Sequence, residues 1–200
     1  MKIKKWLSPK YYVFHNILYR EKKETDYRYN AAFRGVKVLP KSFLKGYEWK
    51  YICCYRKWQC NRDNIWGRFY ERKLTSLSQR TGIDLDKNPN IGDGFILGHW
   101  GRIIVNRSAK FGSPIFLTHG VTIGRDIRGK RKGVPTFGNY VCIRANSTVV
   151  GNVHIGNDVL IAPNTFVNFD VPDHSIVIGN PASIHHRDNA TEGHLPVINI

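Results

Sequence analysis

Aliphatic residues recur at every sixth position over two stretches of the C-terminal part of the chain. The first series is Ile91, Leu97, Ile103, Ala109, Ile115 and Val121, and the second is Phe137, Ile143, Val149, Ile155, Ile161 and Val167. On an α-helix, six residues turn a side chain by about 600°, so successive members would point in three different directions. On strands, six is a multiple of two and every member faces the same side. The period therefore predicts short strands separated by turns.

Short strands at six-residue spacing are typical of a parallel β-helix built from hexapeptide repeats, in which each coil covers the next. Val121 and Phe137 are 16 residues apart where six are expected, so ten extra residues leave the coil as a loop. We place the β-helix at 81–185, its protruding loop at 125–135 and a C-terminal tail at 186–200. The loop is strongly basic and is either a solvated loop or a phosphate contact. Its basic residues are Arg125, Arg128, Lys130, Arg131 and Lys132.

The N-terminal region, 1–80, has a helical and strongly aromatic pattern instead. Two segments predict helices, KGYEWKYICCYRKWQC at 45–60 and NRDNIWGRFYERKLTSLSQRTG at 61–82, and Gly82 supplies a C-terminal stop for the second. We expect their aromatic side chains to pack against each other and against the β-helix rather than to form a dedicated ligand site. The sequence therefore predicts a mainly β protein, a β-helix preceded by a helical N-terminal region at 1–80.

Positive charge is concentrated in the same N-terminal region. It holds 20 of the 31 lysines and arginines and 6 of the 15 acidic residues, a net charge of +14, whereas the rest of the chain carries 11 against 9. Such a field attracts polyanions. No helix-turn-helix, zinc-finger or RNA-binding signature accompanies it, so we expect no nucleic acid as a partner. An anionic membrane surface, a phosphate-linked substrate and a solvated helical layer remain open as explanations.

Compartment and metal content are inferred from what the sequence lacks. The chain contains no run of about 18 uncharged apolar residues, and its N-terminus has no clean apolar stretch followed by a cleavage site. Its four cysteines show neither a disulfide framework nor a zinc-binding spacing. We therefore expect a cytoplasmic protein without a metal. A peripheral position at the inner membrane is the alternative that the basic N-terminal region allows.

An imidazole interrupts the β-helix pattern in GFILGHWGRIIVN, where His99 and Trp100 separate two strand-like runs. The residue types alone leave two alternatives for His99. It is either a corner histidine whose ring is satisfied by the backbone or a functional base, since histidine titrates near neutral pH.

Three segments of the chain resemble the hexapeptide-repeat acyltransferases. They are VTIG at 121–124, FGNYVCIRANSTVVGNVHIGNDVLIAPNTFV at 137–167 and VPDHSIVIGNPASI at 171–184. The resemblance covers roughly residues 80–185. Within the serine acetyltransferase-like branch it is closest to the O-acetyltransferases of bacterial surface polysaccharides. It implies a left-handed parallel β-helix, a hand that the six-residue period does not determine.

The resemblance also implies a catalytic pair. The base of this branch corresponds to His99 in FILGHWG, and the aspartate that pairs with the base corresponds to Asp84 in GIDLDKNPNIG. An acceptor hydroxyl is a poor nucleophile until a base takes its proton, and a neighbouring carboxylate fixes the tautomer of that base. His119 lies about one coil beyond Gly101 and is expected near His99, where it binds the acceptor, stabilises an oxyanion or packs.

The resemblance further implies acetyl-CoA as co-substrate, bound between two subunits of a homotrimer. Small residues at the coil corners let the pantetheine chain approach the backbone, and basic residues of the loop are candidates for the nucleotide phosphates. The matching positions are Gly124, Arg125, Arg144, Ala145, Ala162 and Pro163, with Lys130 and Arg131 for the phosphates.

Two departures from the serine acetyltransferases suggest a different acceptor. Those enzymes carry an aspartate immediately before the base and an Arg-His-Pro after the loop, whereas this chain has Gly98 and GVP at 133–135. A site without those charges is expected to bind free serine poorly. Trp100 is a candidate stacking surface for a sugar ring, or it packs against a neighbouring subunit.

We therefore predict an O-acetyltransferase that transfers acetyl from acetyl-CoA to a sugar hydroxyl of a bacterial capsular, O-antigen or exopolysaccharide precursor, with a glycan or glycolipid as acceptor. The alternatives are a serine O-acetyltransferase and a non-catalytic β-helix that serves as a binding or scaffold protein.

Overall fold

The computed structural model describes residues 16–85 and 89–198. The start of the predicted N-terminal region and the very end of the predicted tail lie outside the described residues. Four helices come first in this part of the chain: α1 (Ile17–Phe33), α2 (Lys41–Lys45), α3 (Tyr47–Gln59) and α4 (Ile65–Thr81). The strands that follow are β1 (Ile83–Asp84), β2 (Phe95–Leu97), β3 (Ile103–Val105), β4 (Ile115–Leu117), β5 (Thr122–Gly124), β6 (Thr136–Phe137), β7 (Val141–Ile143), β8 (Thr148–Val150), β9 (His154–Ile155), β10 (Val159–Ile161), β11 (Phe166–Val167), β12 (Ser175–Gly179) and β13 (Ala182–His186).

The strands form the three faces of a parallel β-helix. The first sheet has the order β1-β3-β5-β8-β11, the second has the order β13-β12-β10-β7-β4-β2, and the third face is the pair β6-β9. All pairs are parallel except β12 with β13, which closes the second sheet as an antiparallel hairpin. This architecture confirms the predicted fold class, a mainly β chain of stacked coils with a helical N-terminal region.

The interior of the coils is filled by the residues of the six-residue series. Every one of the twelve members is buried, and the most exposed of them, Phe137, retains 4% of its accessible surface. Burying a large aliphatic side chain stabilises the folded state by about 1.5–3 kcal/mol relative to leaving it exposed. The column of aliphatic side chains therefore holds successive coils together.

The protruding loop is shorter than the period alone predicts. Ile104 and its partner Thr122 in the next coil are 18 residues apart, whereas Thr122 and its own partner Thr148 are 26 residues apart. The loop therefore adds eight residues and not ten. The period alone would place Phe137 in register with Ala109. In the structure Phe137 is in register with Phe111 instead, and the two rings stack at 4.9 Å between centroids. The loop is a hairpin, because Asp126 and Gly133 exchange both backbone hydrogen bonds.

The helices form a layer against the first coil. The α3 and α4 helices confirm the two predicted segments, and α4 ends at Gly82, which has a φ of 70° and donates its amide to Ser78. A fully buried ion pair joins α1 to α3, with Asp26 accepting from Arg56 at 2.7 and 2.9 Å. Asp26 also accepts from the Phe95 amide of β2 at 2.9 Å, which links the layer to the β-helix. No helix in the described part of the chain is long and apolar enough to cross a membrane.

The C-terminal tail folds back over the outer face of the second sheet. Leu195 packs there among buried side chains of α1 and the sheet, including Tyr29, Phe116 and Leu160. Asp158 anchors the tail, since its carboxylate accepts hydrogen bonds from the Ala190 and Thr191 amides and from the Thr191 hydroxyl, at 2.7–2.9 Å.

We expect the folded state around Asp158 to be most stable at mildly acidic pH. Burial alone would raise the pKa of Asp158, but hydrogen bonds from Thr191, His174 and Ala190 hold this pKa below its ordinary 3.8. The hydrogen bond to Asp158 raises the pKa of His174 above its ordinary 6.5. The aspartate contribution is therefore lost as pH falls through its lowered pKa, and the histidine contribution is lost as pH rises through its raised pKa. The backbone amide shift of Thr191, followed by NMR against pH, should report both transitions. A flat titration, or one unchanged by Asp158→Asn, would contradict this linkage.

Candidate active site

One edge of the β-helix carries both predicted catalytic histidines. It consists of the corners that follow β2, β4, β7 and β10, whose last residues lie opposite one another in the second sheet. The backbone amides of Asn146 and Asn164 donate to the carbonyls of His119 and Ala145 at 3.1 and 2.9 Å, which stacks the corners in register. We call the stacked corner residues the histidine edge: His99, His119, Ala145 and Pro163.

The corner that contains His99 is longer than the corner below it. Leu97 pairs with Leu117 and Ile104 pairs with Thr122, so the six residues 98–103 span the distance that the four residues 118–121 span in the next coil. The two additional residues push this corner outward, and His99 and Trp100 are exposed there. The rings of His99 and His119 lie 5.9 Å apart between centroids, at an angle of 66°. The structure therefore brings these two imidazoles together, as predicted.

Thr118 is a polar contact of this site that the sequence did not identify. Its side chain is buried, and its Oγ1 lies 3.3 Å from Nδ1 of His119. The contact orients the His119 ring. The only signal in the sequence is a hydroxyl residue directly before His119, at the end of an otherwise apolar strand.

Asp84 lies on β1 opposite Ile104 of β3, where the chain has just left the His99 corner. Its exposed side chain lines a cavity of 290 Å³ between β1 and the helices α3 and α4, together with Tyr51 and Ser78. Burial raises the pKa of the Tyr51 phenol, and the nearby Asp84 carboxylate adds to that effect. The pairing of Asp84 with His99 stays a prediction.

The residues beside His99 fix the shape of its corner. A Cβ built on Gly98 would lie 2.6 Å from the Phe116 ring, so this ring occupies the space of any side chain at position 98. Trp100 packs edge to face on Tyr47, at 5.7 Å between centroids, and remains 49% exposed. Both contacts join residues far apart in the chain, which is why no sequence signal reveals them.

The candidate donor-binding residues divide between two edges of the β-helix. Ala145, Ala162 and Pro163 lie on or beside the histidine edge, but the guanidinium of Arg144 lies 5.5 Å from the Phe116 ring, on the outer face of the second sheet. The other group begins at Gly124, the last residue of β5. Gly124 lies about 13 Å from Gly120 along the chain, by the usual rise per residue of a strand. That group consists of Gly124, Arg125, Lys130 and Arg131.

The loop residues of the second group are mostly exposed. Lys130 and Arg125 are exposed, whereas Arg131 folds back along the coils, with its carbonyl accepting from Asn152 at 2.7 Å and its guanidinium 3.6 Å from Asp170. An exposed ion pair of this kind contributes at most about 1 kcal/mol, so Arg131 can exchange this partner for a phosphate at little cost. Among the described residues, no three potential metal ligands cluster.

Comparison with known proteins identifies the relatives of this chain. It is 33% identical over 124 residues to the serine acetyltransferase of Helicobacter pylori, which covers 60% of this chain and 72% of the relative. It is 32% identical over 145 residues to serine acetyltransferase 2 of Arabidopsis thaliana, which covers 70% of this chain and 43% of that relative. This chain therefore spans less than half of the plant protein. No family model matches the chain.

Solved structures show the same fold. Serine acetyltransferase of Neisseria gonorrhoeae in complex with serine superposes with a TM-score of 0.68 at 25% identity, over 84% of this chain and 69% of that one. A serine acetyltransferase in complex with CoA superposes with a TM-score of 0.69 at 20% identity, over 86% of this chain and 72% of that one. At this lower identity, the second comparison supports the fold alone.

These comparisons correct the predicted acceptor. The relatives and the structural neighbours are serine acetyltransferases, so the assignment to a polysaccharide O-acetyltransferase acting on a glycan or glycolipid is wrong, and the alternative given with it is favoured. Nothing in the comparisons supports a membrane surface as a partner. The predicted sugar acceptor rested on two local departures, at Gly98 and at 133–135, whereas the similarity to serine acetyltransferases extends along the whole β-helix. The chain belongs to the serine acetyltransferase family.

Proposed function

We propose that this protein is an acetyl-CoA-dependent serine O-acetyltransferase whose reacting centre is the histidine edge. The observation that carries the proposal is the adjacency of His99 and His119, 5.9 Å apart on an exposed corner at the head of a column of small residues. Family membership and the serine complex of the Neisseria relative support serine as the acceptor. Membership of the serine acetyltransferase family also supports acetyl-CoA as the donor.

In this proposal His99 is the general base. Its imidazole takes the proton from the serine hydroxyl as the hydroxyl oxygen forms a bond to the acetyl carbon, and it returns the proton to the sulfur when the carbon–sulfur bond breaks. Bound acetyl-CoA supplies the acetyl group as an activated thioester. Asp84 holds the His99 tautomer, and His119, oriented by Thr118, donates to the carbonyl oxygen as negative charge develops there.

The histidine edge suits a narrow, extended chain such as pantetheine. Below His119 it presents Ala145 and Pro163, and Ala162 lies beside them, so small side chains leave backbone groups accessible. The basic loop that would meet the nucleotide phosphates lies at another edge of the same chain. A site that uses both therefore needs the loop of a second copy, which favours a homotrimer with donor sites between subunits. Sedimentation that gives only monomer under assay conditions would contradict this arrangement.

We expect Ala145→Trp to raise the KM for acetyl-CoA by about tenfold or more, because an indole would fill the edge where the donor lies. The free energy of unfolding should change little, since Ala145 is partly exposed and lies at a corner outside the buried series of the interior. The matched control is Asn168→Trp, an exposed position beyond β11. Calorimetry that shows equal acetyl-CoA affinity in both variants would place the donor elsewhere.

A thiol-release assay tests the proposed function. We expect serine to accelerate CoA release from acetyl-CoA, with a higher kcat/KM than ethanolamine, which lacks the carboxylate, or 3-hydroxypropanoate, which lacks the ammonium group. Equal rates with all three would show that the site does not recognise an amino acid. No release above background hydrolysis, together with no CoA binding, would favour the non-catalytic scaffold.

A further inference from the structure

A groove on the helical layer is lined by cations from two antiparallel helices. It has a volume of 370 Å³ and lies between α3 and α4, with Cys53, Cys54, Tyr70, Ser76 and Leu77 as its other lining residues. We call it the basic groove, defined by its four cations: Lys50, Lys57, Lys73 and Arg80. None of them belongs to the histidine edge or to the 125–135 loop.

The four cations form two groups at the two ends of the groove. Lys57 lies 5.6 Å from the ring centroid of Tyr70, so the C-terminal end of α3 faces the first half of α4 and places Lys57 near Lys73. Lys50 and Arg80 lie seven residues from these two, about 10 Å along each helix. The groove therefore has a positively charged group at each end.

The described part of the chain supplies no counterion for these charges. None of the four cations forms an ion pair with a carboxylate in residues 16–85 and 89–198. Aromatic rings position three of them instead: Lys50 lies 5.5 Å from Tyr47, Lys57 lies over Tyr70, and Lys73 lies 4.7 Å from Phe69. A cation–π contact fixes an ammonium group while leaving its N–H donors available.

The thiols of the groove do not supply the missing negative charge. Burial raises the pKa of Cys53 and of Cys54 to about 11, although Lys57 acts to lower both. Both thiols are therefore neutral at physiological pH, and the lysines are not explained as activators of a thiolate. The four clustered cations are therefore open to an anion from solution.

We propose that the basic groove binds a small phosphorylated ligand that carries two or more phosphates. Lysine ammonium groups on both walls can donate charge-assisted hydrogen bonds to several phosphate oxygens at once, and the arginine offers a planar fork. The concave shape suits a small molecule better than a membrane. The large exposed apolar residues of the layer, such as Ile17 and Ile65, lie outside the lining and cannot insert into lipid from within it.

Calorimetric titration of the full chain with inorganic tripolyphosphate, at constant ionic strength, tests this proposal. The wild type should bind one equivalent per chain, saturably. The groove variant Lys57→Gln/Lys73→Gln should bind at least tenfold more weakly, because two charge-assisted contacts are lost. Arg68→Gln/Arg72→Gln is the matched control, since it removes the same charge from exposed positions of α4 and should change the affinity less than about twofold.

Three outcomes would overturn the proposal. An equal loss in the control variant would mean a non-specific effect of net charge. Loss of binding in Lys130→Gln/Lys132→Gln, with the groove variant unaffected, would place the anion at the loop instead. Binding only to anionic vesicles, without competition by tripolyphosphate, would assign the groove to a membrane surface. If the first groove variant is unstable, Lys50→Gln/Arg80→Gln at the other end of the groove must show the same weakening.

Discussion

Replacing His99 with alanine is expected to lower the rate of acetyl transfer by about 100- to 10,000-fold, the usual contribution of a positioned general base. The fold should survive, because His99 lies on an exposed corner that protrudes from the coil and its removal leaves no cavity in the core. Steady-state kinetics should show the loss in kcat, with acetyl-CoA binding retained.

His154→Ala is the matched control, since His154 is an exposed β-helix histidine away from the histidine edge. Its turnover should stay near that of the wild type. The proposed pairing of His99 with Asp84 predicts a second result: Asp84→Asn should lower turnover, and its effect should be strongly non-additive with that of His99→Ala. Near-normal turnover in folded His99→Ala protein would remove this residue from the mechanism.

Replacing Arg56 with methionine is expected to lower the free energy of unfolding by about 3–5 kcal/mol. Both Arg56 and Asp26 are fully buried, and the guanidinium also donates to the Ile91 and Gly92 carbonyls at 2.8 and 2.7 Å. The substitution would leave the buried Asp26 carboxylate without its counterion and would remove one donor from each of the two carbonyls. Since these carbonyls belong to the first coil, the helical layer should loosen from the β-helix.

Two comparisons separate this effect from a general loss of charge. Lys22→Met breaks the partly exposed pair of Lys22 with Asp93, which should change the free energy of unfolding by less than about 1 kcal/mol. The double variant Asp26→Leu/Arg56→Met should recover part of the loss, because no lone charge remains buried. Denaturant unfolding measures all three. An Arg56→Met effect no larger than that of Lys22→Met would show that the buried pair does not hold the layer in place.

The six-residue period predicted the β-helix because it records which side chains share the interior. It did not reveal the longer corner at His99. Each strand of the second sheet has two inward positions, as with Phe95 and Leu97 in β2, and the series passes from one to the other: Ile115 lies opposite Phe95 and not opposite Leu97. The six-residue period therefore continues unbroken through a coil that is two residues longer.

The surroundings of the site depend on contacts through space that local sequence does not encode. The replacement of an acidic residue by Gly98 suggested a different acceptor, yet the structure shows that Phe116 from the next coil fills that position. Trp100 similarly rests on Tyr47, which belongs to the helical layer and lies far earlier in the chain. Residue types and their spacing predicted that the two histidines lie together, whereas the packing around His99 depends on contacts that only the fold creates.

The most direct test of the account is to identify the product formed from acetyl-CoA labelled with carbon-13 in the acetyl group and unlabelled serine. NMR should show the labelled acetyl carbon of an ester on the serine hydroxyl, formed by the wild type and by His154→Ala and at least about 100-fold more slowly by His99→Ala. Label that remains on CoA or passes only to water, or an ester formed equally fast by His99→Ala, would contradict serine acetylation at the histidine edge.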